Sequence, residues 1–182
     1  MPCDGGSLID RMLLADDARL TDLTAQAAEA LLARRLKLVT AESCTGGWLA
    51  KLCTDRPGSS RWFAHGVVSY SNAAKQRLLE VSAETLAHDG AVSQATVEAM
   101  AIGAKAHHPD IVSVAISGVA GPDGGTTEKP VGLVWCAWAL PCGAVHSAAE
   151  HFAGDRDAVR RQSLVLALTG LVSRLGEKPQ SG

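Results

Sequence analysis

Apolar residues recur along this chain with two different periods, and the changes of period mark out its elements. Leu20, Leu23, Ala27 and Leu31 fall at helical spacing and predict an amphipathic helix running to about residue 35. Residues 37–41 follow as a short buried strand, and a helix is expected from Thr45, stopping before Pro57-Gly58. Residues 62–70, with Gly66-Val67-Val68 among them, read as a second strand, followed by helical stretches at 72–79 and 84–88. Ser93 is placed to cap a further helix whose Val97, Met100, Ala101 and Ala104 make an apolar stripe. Residues 111–116, rich in Val and Ile, predict an interior strand. A glycine-rich loop at 117–129 leads into a strand over 131–140. Pro141-Cys142-Gly143 reads as a hairpin turn that pairs 145–152 antiparallel with it. Asp155 opens a last helix, with Leu164, Val165, Leu168, Leu171, Val172 and Leu175 on a wide apolar face.

Helices alternating with strands early, and a hairpin late, predict the α/β class: a single three-layer α/β/α domain on a mixed β-sheet. The domain is expected to span 18–176, with a flexible leader over 1–17 and a frayed tail over 177–182. A length of 182 residues suits one such domain. The formal net charge of −2 provides no basic field, so neither nucleic acid nor an anionic membrane is an expected partner. The longest strongly apolar run, 131–140, is about half a membrane span, and the first residues lack the charged-then-apolar order of a secretion signal. A cytoplasmic location is expected. The five cysteines form no CxxC, and the six histidines form neither HxH nor HExxH. His107-His108 precede Pro109 at an expected helix end. Chemistry without metal or cofactor is therefore expected. An exposed apolar helix face could support a homo-oligomer, a dimer or larger.

Four segments carry candidate chemistry, each where a strand gives way to a loop or helix: Thr40 to Gly47, Tyr70 to Lys75, Ser117 to Gly125, and Gly154-Asp155-Arg156. In open α/β sheets such ends converge on the ligand crevice. The first reads Thr-Ala-Glu-Ser-Cys-Thr-Gly-Gly and places a hydroxyl and a thiol where unpaired helix amides can stabilise an anion. Ser43 or Thr45 capping the helix is the plainer reading of the same residues. A serine hydroxyl needs a base, and Lys75 can serve if its amine is neutral. Reaching neutrality near pH 7 from about 10.4 takes roughly 4–5 kcal/mol of desolvation or repulsion, which only a buried site supplies. Tyr70, the chain's single tyrosine, could orient that amine or relay a proton. The 117–129 loop offers glycine amides as a phosphate cradle, and Arg156 and Arg160, one helical turn apart, could clamp a phosphate. Cys44 is a rival nucleophile, although no histidine belongs to the neighbouring motifs.

Taken together, AESCTGG, GVVSYSNAAKQRLL, HDGAVS, SGVAGPDGGTTEKPVG and FAGDRDAVR resemble, in order and spacing, the C-terminal domain of the competence/damage-inducible protein CinA. The resemblance runs from about residue 20 to residue 175. Stand-alone versions of that domain are nicotinamide-nucleotide amidases. The resemblance implies hydrolysis of nicotinamide mononucleotide to nicotinate mononucleotide and ammonia, in pyridine-nucleotide salvage, by a metal-free serine amidase. Carried onto this chain, it makes Ser43 the nucleophile, Lys75 the general base and Tyr70 its assistant. The implied substrate-binding residues are Glu42, Cys44, Thr45, Gly46 and Gly47 at the turn, with backbone amides near 44–46 holding the oxyanion. Ser117, Gly118, Ala120, Gly121, Gly124 and Gly125 in the loop, with Arg156, would take the nucleotide phosphate. Two positions depart from the family pattern: His65 stands where a glycine is common, and Ala73 where a glutamate is common. The alternatives are a nucleotide-binding or interaction module without turnover, linked to competence or DNA damage, and a serine hydrolase using His65 or His88.

Overall fold

Five consecutive buried residues, Leu38 to Glu42, make β1 (Lys37–Glu42) an interior strand with protein on both faces. The structure, a computed structural model, describes residues 15–106 and 108–176. β1 pairs in parallel with β2 (Phe63–Val68) on one side and β3 (Ile111–Gly118) on the other. β4 (Leu133–Ala139) and β5 (Val145–His151) extend the sheet antiparallel, giving the order β2-β1-β3-β4-β5. The mixed sheet and the late hairpin are as the periodicity predicts.

Alternation along the strands divides the core into two layers. On one face Leu38, Val112, Val114, Ile116, Val134, Cys136 and Trp138 meet α1 (Asp17–Ala33), α2 (Trp48–Thr54) and α6 (Arg156–Gly176). On the other, the small residues Ala41, Ala115, Ala137 and Ala139 let α5 (Gln94–Lys105) lie close to the sheet. α3 (Asn72–Leu79) and α4 (Ala83–His88) complete that layer through Leu79 and Leu86. Side-chain oxygens of Asp16, Ser71, Ser82, Ser93 and Asp155 accept from the first-turn amides of α1, α3, α4, α5 and α6 respectively.

Most boundaries fall within two residues of expectation, and the larger shifts have local causes. α2 begins at Trp48 rather than Thr45 because Gly46 and Gly47 take φ of +62° and +92°, opening a turn before the helix. Trp62 lies outside β2: its amide closes a 3-10 turn on Ser59 O, while its indole is buried. β4 starts at Leu133, after Gly132 turns at φ +96° and donates to Val119 O. α1 begins at Asp17, within the expected leader; the rest of that leader up to residue 14, His107 and the expected tail at 177–182 lie outside the described residues.

The parallel strands end together, Glu42 beside Val68 and Ile116, and this end of the sheet gathers the four candidate segments. α6 is pinned beside it by Trp138, whose indole nitrogen donates to Ala167 O at 2.9 Å. A Cβ on Gly170 would sit 2.1 Å from that indole. Alanine normally favours a helix over glycine by about 1 kcal/mol, but here overpacking dominates. Gly170→Ala is expected to lower stability by about 1–3 kcal/mol in urea titration, the reverse of what helix propensity alone predicts.

Candidate active site

The turn after β1 is organised by Glu42. Its side chain is fully buried and points into the start of α2, a helix whose N-terminal glycine offers no capping side chain. Oε2 accepts from Thr45 Oγ1 at 2.7 Å, Gly47 N at 3.1 Å and Leu49 N at 3.0 Å, and Oε1 accepts from Ala50 N at 2.8 Å. A carboxylate from the preceding strand thus does the capping that helices usually assign to a local Ser or Asp. Both oxygens take part in this cap, so Glu42 and the Thr45 hydroxyl hold the turn that carries Ser43.

With the turn held this way, Ser43 sits at its head, anchored by its own amide on Ile116 O at 2.9 Å. The Gly46 amide donates back to Ser43 O at 3.0 Å, which removes it from the donors expected to face an oxyanion. The amides of Cys44 and Thr45 have no backbone acceptor among the described residues. Burial pushes the Cys44 thiol up to about 11, which keeps it protonated near neutrality and leaves it a poor nucleophile.

Lys75 comes from the opposite layer. Ser71 caps α3, and one turn later the Lys75 side chain runs inward to only 1 % exposure. Its Nζ lies 3.0 Å from Ser43 Oγ and donates to Ser69 O at 2.8 Å. Ser69 in turn donates its amide to Glu42 O at 2.8 Å, so one strand end positions both partners. Burial lowers the Lys75 pKa, opposed only by the nearby Cys44 thiol.

The remaining expected residues divide. Tyr70 is 62 % exposed, and its hydroxyl accepts from Arg156 Nη2 at 3.2 Å; the contact that orients the Lys75 amine is made instead by the Ser69 carbonyl. Arg156 also donates from Nη1 to Gly121 O at 2.8 Å, tying the glycine loop to the end of β2. In that loop Ser117, Gly118 and Ala120 serve packing. Ser117 Oγ donates to Ala91 O at 2.7 Å, Gly118 presses on Val134, and Ala120 is buried in the core. The exposed arc runs through Gly124 and Gly125, with φ of +88° at Gly124 and open space where its Cβ would stand. Arg160 Nη2 donates to Thr45 O at 3.0 Å, and its guanidinium stacks 5.0 Å over Trp48.

His65 is exposed on the edge strand. His88 has a carboxylate neighbour, Asp89 at 3.1 Å, but that pair is at the surface and Lys75 holds the place beside Ser43. Ser69 escaped the sequence reading; its only sign there is a serine directly after the apolar strand Val67-Val68, a position that turns out fully buried. Among the described residues no three His, Cys, Asp or Glu side chains gather as a metal site, and no helix is long and apolar enough to cross a membrane.

The family model for the CinA C-terminal domain matches residues 20–175. The chain belongs to the CinA C-terminal domain family. Among its CinA-family relatives, the nicotinamide-nucleotide amidohydrolase PncC of Escherichia coli K12 is 54 % identical over 156 residues, 85 % of this chain and 94 % of that protein. A Pseudomonas putida protein of the same name is 50 % identical over 153 residues, covering 84 % and 95 %. The crystal structure of competence damage-inducible protein A from Klebsiella pneumoniae superposes with a TM-score of 0.83 at 40 % identity, covering 87 % of this chain and 98 % of that one.

The carboxylate cap is open to test. Glu42→Gln replaces one acceptor oxygen with a donor facing amides that also donate. Stability is expected to fall by about 1–3 kcal/mol in urea titration, and turnover to fall with it as the Ser43 turn loosens.

Proposed function

We propose that this protein is an amidohydrolase that converts nicotinamide mononucleotide to nicotinate mononucleotide and ammonia, with Ser43 as nucleophile and Lys75 as general base. The substrate comes from the names of relatives that share half of their residues with this chain over nearly their whole length. The mechanism rests on one observation: a buried amine 3.0 Å from a serine hydroxyl, with no carboxylate contact among the described residues.

The neutral amine donates one hydrogen to the Ser69 carbonyl, which turns its lone pair toward the Ser43 hydroxyl. Ser43 Oγ attacks the carboxamide carbon as its proton passes to Lys75, and the resulting oxyanion lies against the Cys44 and Thr45 amides. The lysine ammonium returns that proton to the departing nitrogen, releasing ammonia and leaving a nicotinoyl ester on Ser43. Water then adds to the ester carbon, giving its proton to Lys75, and the C–O bond to Ser43 breaks as the hydroxyl is restored. The phosphate is assigned to the exposed arc at Gly124-Gly125, with Arg156 and Tyr70 framing the entrance. The reaction fits a salvage role for pyridine nucleotides in the cytoplasm.

Ser43→Ala is expected to abolish ammonia release from nicotinamide mononucleotide, by at least a thousandfold, while thermal unfolding stays close to wild type. Full activity in that variant would remove Ser43 from the mechanism, and nucleotide binding without ammonia release in the wild type would favour the non-catalytic module. The pH dependence has a defined sign. Because burial lowers the Lys75 pKa, kcat is expected to rise with pH through that lowered value and then level off. The same shift links to stability. Between the folded and unfolded Lys75 pKa values the unfolded chain binds the extra proton, so the fold gains stability as pH rises. Lys75→Met lacks this term. Urea titrations at pH 7 and pH 10 should show the wild type gaining on the inactive variant as pH increases.

A further inference from the structure

A cavity of about 620 Å³ lies behind the Ser43 turn, reached from the outer side of α2 and lined by Gly46, Trp48, Lys51, Arg160, Arg161 and Asp17 among others; neither Ser43 nor Lys75 lines it. Its charges are unevenly matched. Arg161 is held by Asp17 at 2.5 Å and Asp157 at 2.7 Å. Lys51 pairs with Asp55 at 2.6 Å, but both side chains are more than half exposed, so that pair competes weakly with a ligand. Arg160 has no carboxylate partner among the described residues. Its Nη2 is spent on the Thr45 carbonyl, and its Nε is buried without an acceptor. A guanidinium that stacks on Trp48 but has no carboxylate partner among the described residues thus forms one wall, with Lys51 beside it.

We propose that this cavity binds a phosphorylated organic molecule, of sugar-phosphate to mononucleotide size, and that its occupancy slows turnover at Ser43. The second half rests on the amidase reading given above. A phosphate matches the planar fork of a guanidinium and the point charge of a lysine. The volume of this open cleft falls in the range of small-ligand pockets and exceeds what a bare phosphate fills. The link to the site is one hydrogen bond. Arg160 steadies the Thr45 carbonyl, and Thr45 lies in the turn that carries Ser43. A dianion in the cavity competes for that guanidinium, drawing it off Thr45 and loosening the turn, so the ligand lowers kcat rather than displacing substrate.

The test uses full-length protein with adenosine 5′-monophosphate and inorganic phosphate as probes. In the Ser43→Ala protein, which does not turn over, binding is read from Trp48 fluorescence, with Trp48→Phe as the control for the other tryptophans. The expected result is a saturable change with the mononucleotide, at least tenfold weaker with phosphate, absent in Trp48→Phe, and weakened at least tenfold by Lys51→Glu at the exposed rim. In active enzyme the mononucleotide is expected to lower kcat several-fold at unchanged KM. Lys51→Glu keeps its basal kcat within twofold and resists that inhibition. Absence of any saturable change, equal affinity for phosphate and mononucleotide, or inhibition that raises KM alone would overturn the proposal. Should nicotinamide mononucleotide not be hydrolysed at all, the amidase reading fails by itself, and the fluorescence titration still decides whether the cavity binds.

Discussion

A lysine amine enclosed with no counter-ion among the described residues is the constraint on which the site depends. Lys75 is 1 % exposed, and its polar contacts are a serine hydroxyl and a backbone carbonyl. Burial in such surroundings disfavours the protonated amine and lowers its pKa, because the charge would sit in a medium that solvates it poorly. The nearest carboxylate along the chain of the opposite partner is that of Glu42, adjacent to Ser43, and both of its oxygens are turned away into the amides of α2. Had that carboxylate faced Lys75 instead, it would have held the ammonium form. The same strand end therefore does two jobs with opposite electrostatic needs, and the direction of one side chain separates them.

Around that pair the structure relies on backbone groups more than on side chains. Glu42 O receives the Ser69 amide, Ser69 O receives the lysine, and Ile116 O receives the Ser43 amide. Backbone atoms of neighbouring strands are placed by sheet register, which small side-chain changes do not disturb. Arginines from α6 then brace the two loops that have no strand partner, Arg156 on the Gly121 carbonyl and Arg160 on the Thr45 carbonyl.

Much of this was readable in the amino-acid sequence, and what was not has physical reasons. The interior strands β1 and β3 announce themselves through short runs rich in Leu, Val and Ile, and the β4–β5 hairpin through Pro141-Cys142-Gly143. The convergence of Ser43 and Lys75 was legible from the segments that carry them, which follow the ends of β1 and β2, since parallel strands bring such ends together. The role of Glu42 was not, because an acidic residue between a strand and a serine reads equally well as a ligand group; only the direction of its side chain distinguishes a cap from a contact. Ser69 acts through its carbonyl, an atom that every residue carries, so no residue type could signal it. The glycine loop is likewise divided in a way its letters do not show: Ser117 and Gly118 belong to β3, and the arc near Gly124 stands open.

The braces from α6 carry a consequence for the order in which the molecule becomes competent. That helix supplies the last of the described elements, after the strand ends, the serine turn and the lysine helix have all been made. Without α6 the flank of the sheet formed by Val114, Ile116 and Trp138 loses cover, and neither the Gly121 nor the Thr45 carbonyl has its arginine tether. The Ser43 turn and the glycine loop are therefore fully braced only once the helix that closes this face of the sheet has docked.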